Sequence, residues 1–162
     1  MEMTLMDRSN YFKGLVLLVG KDEEITEKEK EYLTKAAKVL DFDPIFCEQT
    51  INNSLNNKYL IKEPVRFSNI DVAKAFIRDG IKLAFADNDF HIHEFDYLRS
   101  VAGTNDLPEN WFLSEIYGFL DINETQLTHY SFEIEKYWQD LLIAEQKQRR
   151  PLGKARFVKK AV

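Results

Sequence analysis

The stretch ADNDFHIHEFDYL, Ala86 to Leu98, repeats in register the stretch KDEEITEKEKEYL, Lys21 to Leu33, which stands 65 positions earlier. Acidic residues occupy matching positions in the two copies, and both copies end in Tyr-Leu. An apolar stretch at helical spacing precedes each copy, so each acidic turn follows one helix and opens the next. The sequence therefore predicts a duplicated helical unit.

The spacing of apolar residues predicts an all-α fold of about seven helices. Two pseudo-repeated units, at about 9–55 and 68–118, supply three helices each, and a long C-terminal helix at about 123–148 closes their core. No segment alternates at period two, so strands are not expected. We expect one helical domain over 1–148, followed by a basic and flexible tail at 149–162.

Local signals predict where the helices start and end. Ser9 or Asn10 is the predicted N-cap of the first helix, and Thr26 with Glu29 forms a capping box for the second. Gly103 is predicted to end the fifth helix. The fourth helix is predicted to bury one apolar stripe, formed by Ile70, Ala73, Ile77, Ile81 and Ala84.

The composition, with 44% hydrophobic and 30% charged residues, is typical of a soluble globular protein. No apolar run approaches the roughly 20 residues that cross a bilayer, and the N-terminus lacks the basic start of a secretory signal. These features predict a cytoplasmic location. The single cysteine, Cys47, agrees with a reducing compartment and is predicted to be a buried, inert thiol.

The net charge is −5, but the charges are unevenly distributed along the chain. Residues 147–162 carry seven Lys and Arg and no acid, which leaves 15 basic against 27 acidic residues in the body. The acidic body is predicted to repel nucleic acid. The tail is either a solvated end or a segment that contacts an anionic membrane surface, another polyanion or a protein partner.

The acidic turns are the first candidate site. Clustered carboxylates suit Ca²⁺, Mg²⁺ or Mn²⁺, and two nearby histidines add Zn²⁺ to the candidate cations. The same carboxylates at helix N-termini also stabilise the helices by about 0.3–1 kcal/mol each without any metal. Neither turn completes an EF-hand loop. The predicted metal ligands are Asp22, Glu24, Glu29, Asp87, Asp89, His91, His93 and Glu94.

Motifs for catalysis are missing from the sequence. It has no glycine-rich phosphate loop, no nucleophile elbow, no paired-cysteine zinc motif and no His-Glu-x-x-His helix. No catalytic residue and no cofactor beyond a divalent cation are therefore predicted. A non-enzymatic role is favoured, with a small metal-dependent hydrolase that uses the Asp87–Glu94 region as an alternative.

The duplicated pattern of apolar helix, acidic turn and second helix resembles the TerB-like tellurite-resistance family, whose fold also occurs in membrane-anchored DnaJ-type co-chaperones. The resemblance covers about residues 9–118 and is carried by Asp22-Glu23-Glu24-Ile25-Thr26 with Glu29, and by Asp87-Asn88-Asp89-Phe90-His91 with Glu94. It implies a compact helical protein linked to stress or tellurite resistance, with acidic surfaces that bind divalent cations. We expect such a protein to act through contacts with other proteins. A structural helical interaction protein without metal is a further alternative.

Overall fold

A computed structural model describes residues 1–20, 24–56, 63–86, 90–120 and 133–134. These ranges contain six helices and no strand, which confirms the all-α prediction. The longest of these helices have 15 residues, and none of them is long and apolar enough to cross a bilayer. The helices are α1 (Leu5–Val19), α2 (Glu27–Val39), α3 (Pro44–Asn56), α4 (Ile70–Ala84), α5 (Ile92–Thr104) and α6 (Glu109–Leu120).

The predicted C-terminal helix and tail fall mostly outside these ranges. Of residues 123–148, only Glu133 and Ile134 are described, and both are helical. The basic tail at 149–162 lies wholly outside the described residues.

The duplication extends to the helix boundaries. A shift of 65 residues converts the limits of α1 into those of α4, and the limits of α2 into those of α5. Helices α3 and α6 also begin 65 residues apart. Each repeat is therefore a three-helix unit, and the short acidic motif lies between the first and second helices of both units.

The first helix starts earlier than Ser9. It begins at Leu5, because Thr4 is the N-cap and forms a capping box with Asp7. The prediction of Ser9 or Asn10 as the cap is wrong, since both residues lie inside α1. The predicted cap of α2 is correct, with Thr26 at the N-cap position.

Helix α5 does not end at Gly103. It continues through Thr104, and Asp106 then reverses the chain with a φ of 59°. Asp41 does the same after α2, with a φ of 62°. In both repeats the residue after the aspartate, Phe42 or Leu107, donates its N–H to a carbonyl in the last helical turn at 2.9 Å. This is the Schellman arrangement. Aspartate tolerates this left-handed backbone better than most residues, so it replaces the usual glycine.

Helices α1 and α4 lie at the centre of the fold. Helix α1 packs against α2, α3, α4 and α5, and α4 also packs against α5 and α6. They supply large side chains with almost no solvent exposure, among them Tyr11, Phe12 and Phe76. Ile70 departs from the predicted stripe because it is the first residue of α4 and 49% exposed, while the other four stripe residues are buried. Cys47 is buried as predicted, and burial raises the pKa of its thiol.

Gly14 allows α1 to approach α4 closely. A Cβ atom there would stand 2.7 Å from the ring of Phe76 and 2.9 Å from a methyl group of Val65. We expect Gly14→Ala to lower the free energy of unfolding by about 1–2 kcal/mol, because overpacking costs about 1–3 kcal/mol and better helix propensity returns up to about 1. Urea denaturation measures the change. Gly118→Ala in α6 is the matched control and should gain about 0.5–1 kcal/mol, because no described atom beyond its own helix backbone lies within 4 Å of the place where a Cβ would stand. Equal gains at both sites would contradict the close packing.

Candidate functional site

The two glutamates shared by the acidic turns point inward at the starts of α2 and α5. Oε2 of Glu29 accepts the N–H of Thr26 at 2.7 Å, and Oε2 of Glu94 accepts the N–H of His91 at 3.1 Å. Both side chains are buried, with exposed fractions of 4% and 2%. They satisfy N–H groups that a helix start leaves without an intrahelical partner. Helix capping is therefore a role that both glutamates perform in the fold.

The other predicted metal ligands have different surroundings. Glu24 and His93 are exposed, and His91 is the half-buried N-cap of α5. Within the described ranges, no group of three or more His, Cys, Asp or Glu side chains is placed to hold a metal ion. The remaining members of the predicted set lie outside those ranges: Asp22, Asp87 and Asp89. Metal binding by the acidic turns stays a prediction.

Among the described residues, aromatic side chains flank the second turn on both sides. The rings of Phe85 and Phe90 stack with their centroids 4.4 Å apart, and the rings of Phe90 and Phe95 form a T-shaped pair with their centroids 6.2 Å apart. Gly20, Ile25 and Lys30 stand at the matching positions of the first repeat. Each turn is followed by a capping glutamate, but within the described residues an aromatic cluster flanks the second turn and not the first.

Asp7 is a buried carboxylate that connects the two repeats. Its Oδ1 accepts the N–H of Ser68 at 2.8 Å, and its Oδ2 accepts the hydroxyl of Ser68 at 2.5 Å and the N–H of Thr4 at 2.9 Å. Burial acts to raise the pKa of Asp7, but the hydrogen bonds from Ser68 and Thr4 outweigh it and hold this pKa below its ordinary value. The ionised carboxylate thus joins the start of α1 to the segment that leads into α4.

Asp79 is a second such carboxylate, with no solvent exposure, on α4. Its Oδ2 accepts the phenol O–H of Tyr11 at 2.6 Å and the N–H of Ile134 at 3.4 Å, and its Oδ1 accepts the N–H of Glu133 at 2.7 Å. The ammonium group of Lys82 lies 3.8 Å from Oδ1. Burial raises the pKa of Asp79 to about 7, while Lys82, Tyr11 and the two N–H groups act to lower it.

The sequence contains an indication that Asp79 is buried, which the prediction of the fourth helix did not use. Phe76 precedes it by three residues and Leu83 follows it by four, so the aspartate shares a face with apolar side chains. An aspartate on an apolar face indicates a buried polar contact, because an unpaired buried carboxylate is costly. Its partners cannot be read from local spacing, since Tyr11 is 68 positions away and Glu133 is 54.

No family model matches the chain, and no match was found among curated proteins or solved structures. The TerB-like assignment therefore rests on the duplicated motif alone and stays a prediction.

The buried acidic side chains have one feature in common. Each of them accepts at least one backbone N–H, and most of these bonds lie at helix starts or join distant segments. Charge-assisted hydrogen bonds of this kind are among the stronger ones in proteins. The four buried carboxylates within the described ranges are Asp7, Glu29, Asp79 and Glu94.

Proposed function

We propose that the protein is a cytoplasmic, non-enzymatic interaction module of the TerB-like type, which acts in stress or tellurite resistance through contacts with other proteins. The observation that carries the proposal is the common role of the four buried carboxylates, each of which accepts hydrogen bonds from the chain's own backbone. A general acid or base must instead face a substrate. This use of acidic groups favours a scaffold over a catalyst.

Exposed apolar side chains at one end of the fold support a protein partner. Leu5 and Met6 at the start of α1 are 68% and 69% exposed, and Ile70 at the start of α4 is 49% exposed. The two helix starts are neighbours, because the side-chain amide of Asn69 donates to the carbonyl of Glu2 at 3.0 Å. Apolar side chains grouped in this way on a surface are typical of contact sites.

A growth assay tests the proposed role. The full chain, expressed in a tellurite-sensitive bacterium, is expected to raise the tellurite concentration that stops growth. A Leu5→Ser/Met6→Ser variant should lose this protection and keep its unfolding midpoint, because both side chains are exposed. Ile45→Ser is the matched control, since Ile45 is 66% exposed on α3. Equal growth with and without the folded chain would contradict a role in tellurite resistance.

An assay of ester hydrolysis distinguishes the proposed interaction module from the alternative, a metal-dependent hydrolase. The full chain is expected to hydrolyse chromogenic phosphate and carboxylic esters no faster than its Asp87→Ala variant, with Mn²⁺ or Zn²⁺ present. Saturable turnover that Asp87→Ala abolishes would replace the proposed module by a metal-dependent hydrolase.

A divalent cation at the acidic turns is part of the proposal. It would reduce repulsion among the carboxylates, and the exposed Glu24 and His93 are the described side chains best able to reach it. Chelator-treated protein is titrated with Ca²⁺, Mg²⁺, Mn²⁺ and Zn²⁺ during thermal unfolding. A bound ion should stabilise the fold by about 2.7 kcal/mol at a hundredfold excess over Kd, and Asp22→Ala/Asp87→Ala should lose this gain. A flat response to all four ions would leave the carboxylates with helix capping alone.

A further inference from the structure

Two cations lie within one helical turn of the exposed apolar side chains at the starts of α1 and α4. Arg8 follows Leu5 by three residues in α1, and Lys74 follows Ile70 by four residues in α4. Side chains at these spacings are neighbours on the surface of a helix. Together with Met6, which is 69% exposed, these residues form what we call the helix-start surface.

The guanidinium of Arg8 has no acid of the fold beside it. Within the described ranges, no carboxylate forms an ion pair with this side chain. The side chain is half-buried, and its Nε is buried without a hydrogen-bond partner among the described residues. Because this guanidinium has lost part of its hydration, a carboxylate at its outer nitrogens is bound more strongly than at a fully hydrated arginine.

Lys74 stands over an indole ring rather than beside an acid. Its Nζ lies 5.6 Å from the ring centroid of Trp111, and no carboxylate among the described residues pairs with it. The guanidinium of Arg78, one turn further along α4, lies at the same distance from this ring. It differs by donating two hydrogen bonds to Glu115, at 3.1 and 3.3 Å. Arg78 is therefore neutralised within the fold, whereas the ring holds Lys74 with its charge unpaired.

The two helix starts are fixed to each other by hydrogen bonds. The buried carboxylate of Asp7 accepts both the N–H and the hydroxyl of Ser68, and the side-chain amide of Asn69 donates to the carbonyl of Glu2. The apolar side chains and the two cations of the helix-start surface are thus held in place before any partner arrives. A surface that is already ordered loses less conformational entropy on binding.

We propose that the helix-start surface binds an amphipathic helix of a partner protein, whose apolar side chains cover Leu5, Met6 and Ile70 and whose carboxylates pair with Arg8 and Lys74. The inference rests on the proposed function in one respect, namely that the occupant is another protein. An amphipathic helix presents apolar anchors at three- and four-residue spacing and carries charged side chains along their edges. Carboxylates are favoured there because the outer nitrogens of an arginine match their two oxygens.

Charge makes three other occupants less suitable. The chain's own tail at 147–162 carries seven Lys and Arg and no acid, so it would be repelled by the two cations. A second copy using the same surface would add two more unpaired cations to the contact. An anionic membrane would meet Glu2 and Asp71, which are exposed at the same helix starts, and a body with 27 acidic against 15 basic residues.

Two matched peptides test the proposal on the full chain. One is a synthetic helical peptide of about 18 residues with leucine at every third or fourth position and glutamate beside them, and the other has lysine in place of each glutamate. Methyl NMR follows Leu5, Met6 and Ile70. The glutamate peptide is expected to shift these signals saturably, with a Kd that rises about tenfold or more between about 0.05 and 0.5 M NaCl. No saturable shift, or an equal shift with the lysine peptide, would overturn the proposal.

Variants of the two cations separate a specific contact from a general effect of charge. Arg8→Gln/Lys74→Gln should raise the Kd of the glutamate peptide about tenfold or more. Lys28→Gln/Lys38→Gln is the matched control, which removes two exposed cations of α2 and should leave the Kd within about twofold. Equal losses in the two variants would reject the surface. If the Arg8 variant does not fold, Lys74→Gln alone should raise the Kd about threefold, and an unchanged Kd would reject the pairing.

Two further measurements distinguish this inference from the other occupants and from the proposed function. A dimer in sedimentation equilibrium, or binding to phosphatidylserine vesicles, that Leu5→Ser/Met6→Ser abolishes would replace the partner helix by a second copy or by a membrane. Protection against tellurite that needs Leu5 and Met6, without binding of the glutamate peptide, would reject the acidic helix and keep the proposed function. Binding of the peptide without protection would do the reverse.

Discussion

Replacing Ile134 by alanine is expected to lower the free energy of unfolding by about 3 kcal/mol. Ile134 has no solvent exposure and belongs to the core cluster formed largely by α1 and α4. An Ile→Ala change in a core costs about 2–5 kcal/mol, because the lost transfer free energy and the remaining cavity add. Urea denaturation of the full chain, followed by circular dichroism, measures the loss.

Two other isoleucines serve as matched controls for this prediction. Ile45 in α3 and Ile92 in α5 are 66% and 64% exposed. Alanine at either position should change the free energy of unfolding by less than about 0.5 kcal/mol. A loss at Ile134 no larger than at these two sites would show that residues 133–134 do not contribute to the core in solution.

Replacing Asp7 by alanine is expected to cost a similar amount, about 3 kcal/mol. The variant leaves the N–H and hydroxyl of Ser68 and the N–H of Thr4 without their acceptor, in a site where Asp7 is 1% exposed. Hydrogen bonds to a charged group contribute about 1.5–3 kcal/mol, and donors left unsatisfied in a buried site add to the loss. Chemical denaturation at neutral pH measures the difference.

The pH dependence of this loss identifies the ionised form as the stabilising one. The hydrogen bonds hold the pKa of Asp7 below 3.8, so its contribution is fully present above the unfolded pKa and is lost as the pH falls through the folded pKa. The stability difference between wild type and Asp7→Ala should therefore shrink in acid. A difference that stays the same from neutral pH down to about pH 2 would contradict a role for the charge.

Asp71 provides a matched control for Asp7. It is an aspartate in the first turn of α4 and is exposed. Asp71→Ala should cost only about 0.3–1 kcal/mol, which is the contribution of an acid near a helix N-terminus. A double-mutant cycle of Asp7→Ala with Ser68→Ala should show a coupling energy of about 1 kcal/mol or more, because the two side chains are hydrogen-bonded.

The helix ends show where local sequence is informative and where it is not. Thr26 and Glu29 stand three residues apart, and their capping box involves only each other, so it can be predicted from the sequence. The start of α1 offers several good caps, and the choice of Thr4 is favoured by Asp7, which also binds Ser68 61 positions away. The prediction that α5 ends at Gly103 is wrong for a related reason. Asp106 adopts the left-handed backbone conformation, so the helix continues past the glycine.

The sequence by itself determined the all-α class, the duplication and the capping glutamates, because these depend on apolar spacing and on groups within one helical turn of each other. Only the tertiary structure decided which groups bind the buried Asp79, namely Tyr11 and the backbone of Glu133 and Ile134, and that Ile70 is exposed. Burial and long-range hydrogen bonds depend on which helices pack together. A periodic pattern shows that a helix has an apolar face, but the pattern does not specify which residues of another helix will cover it.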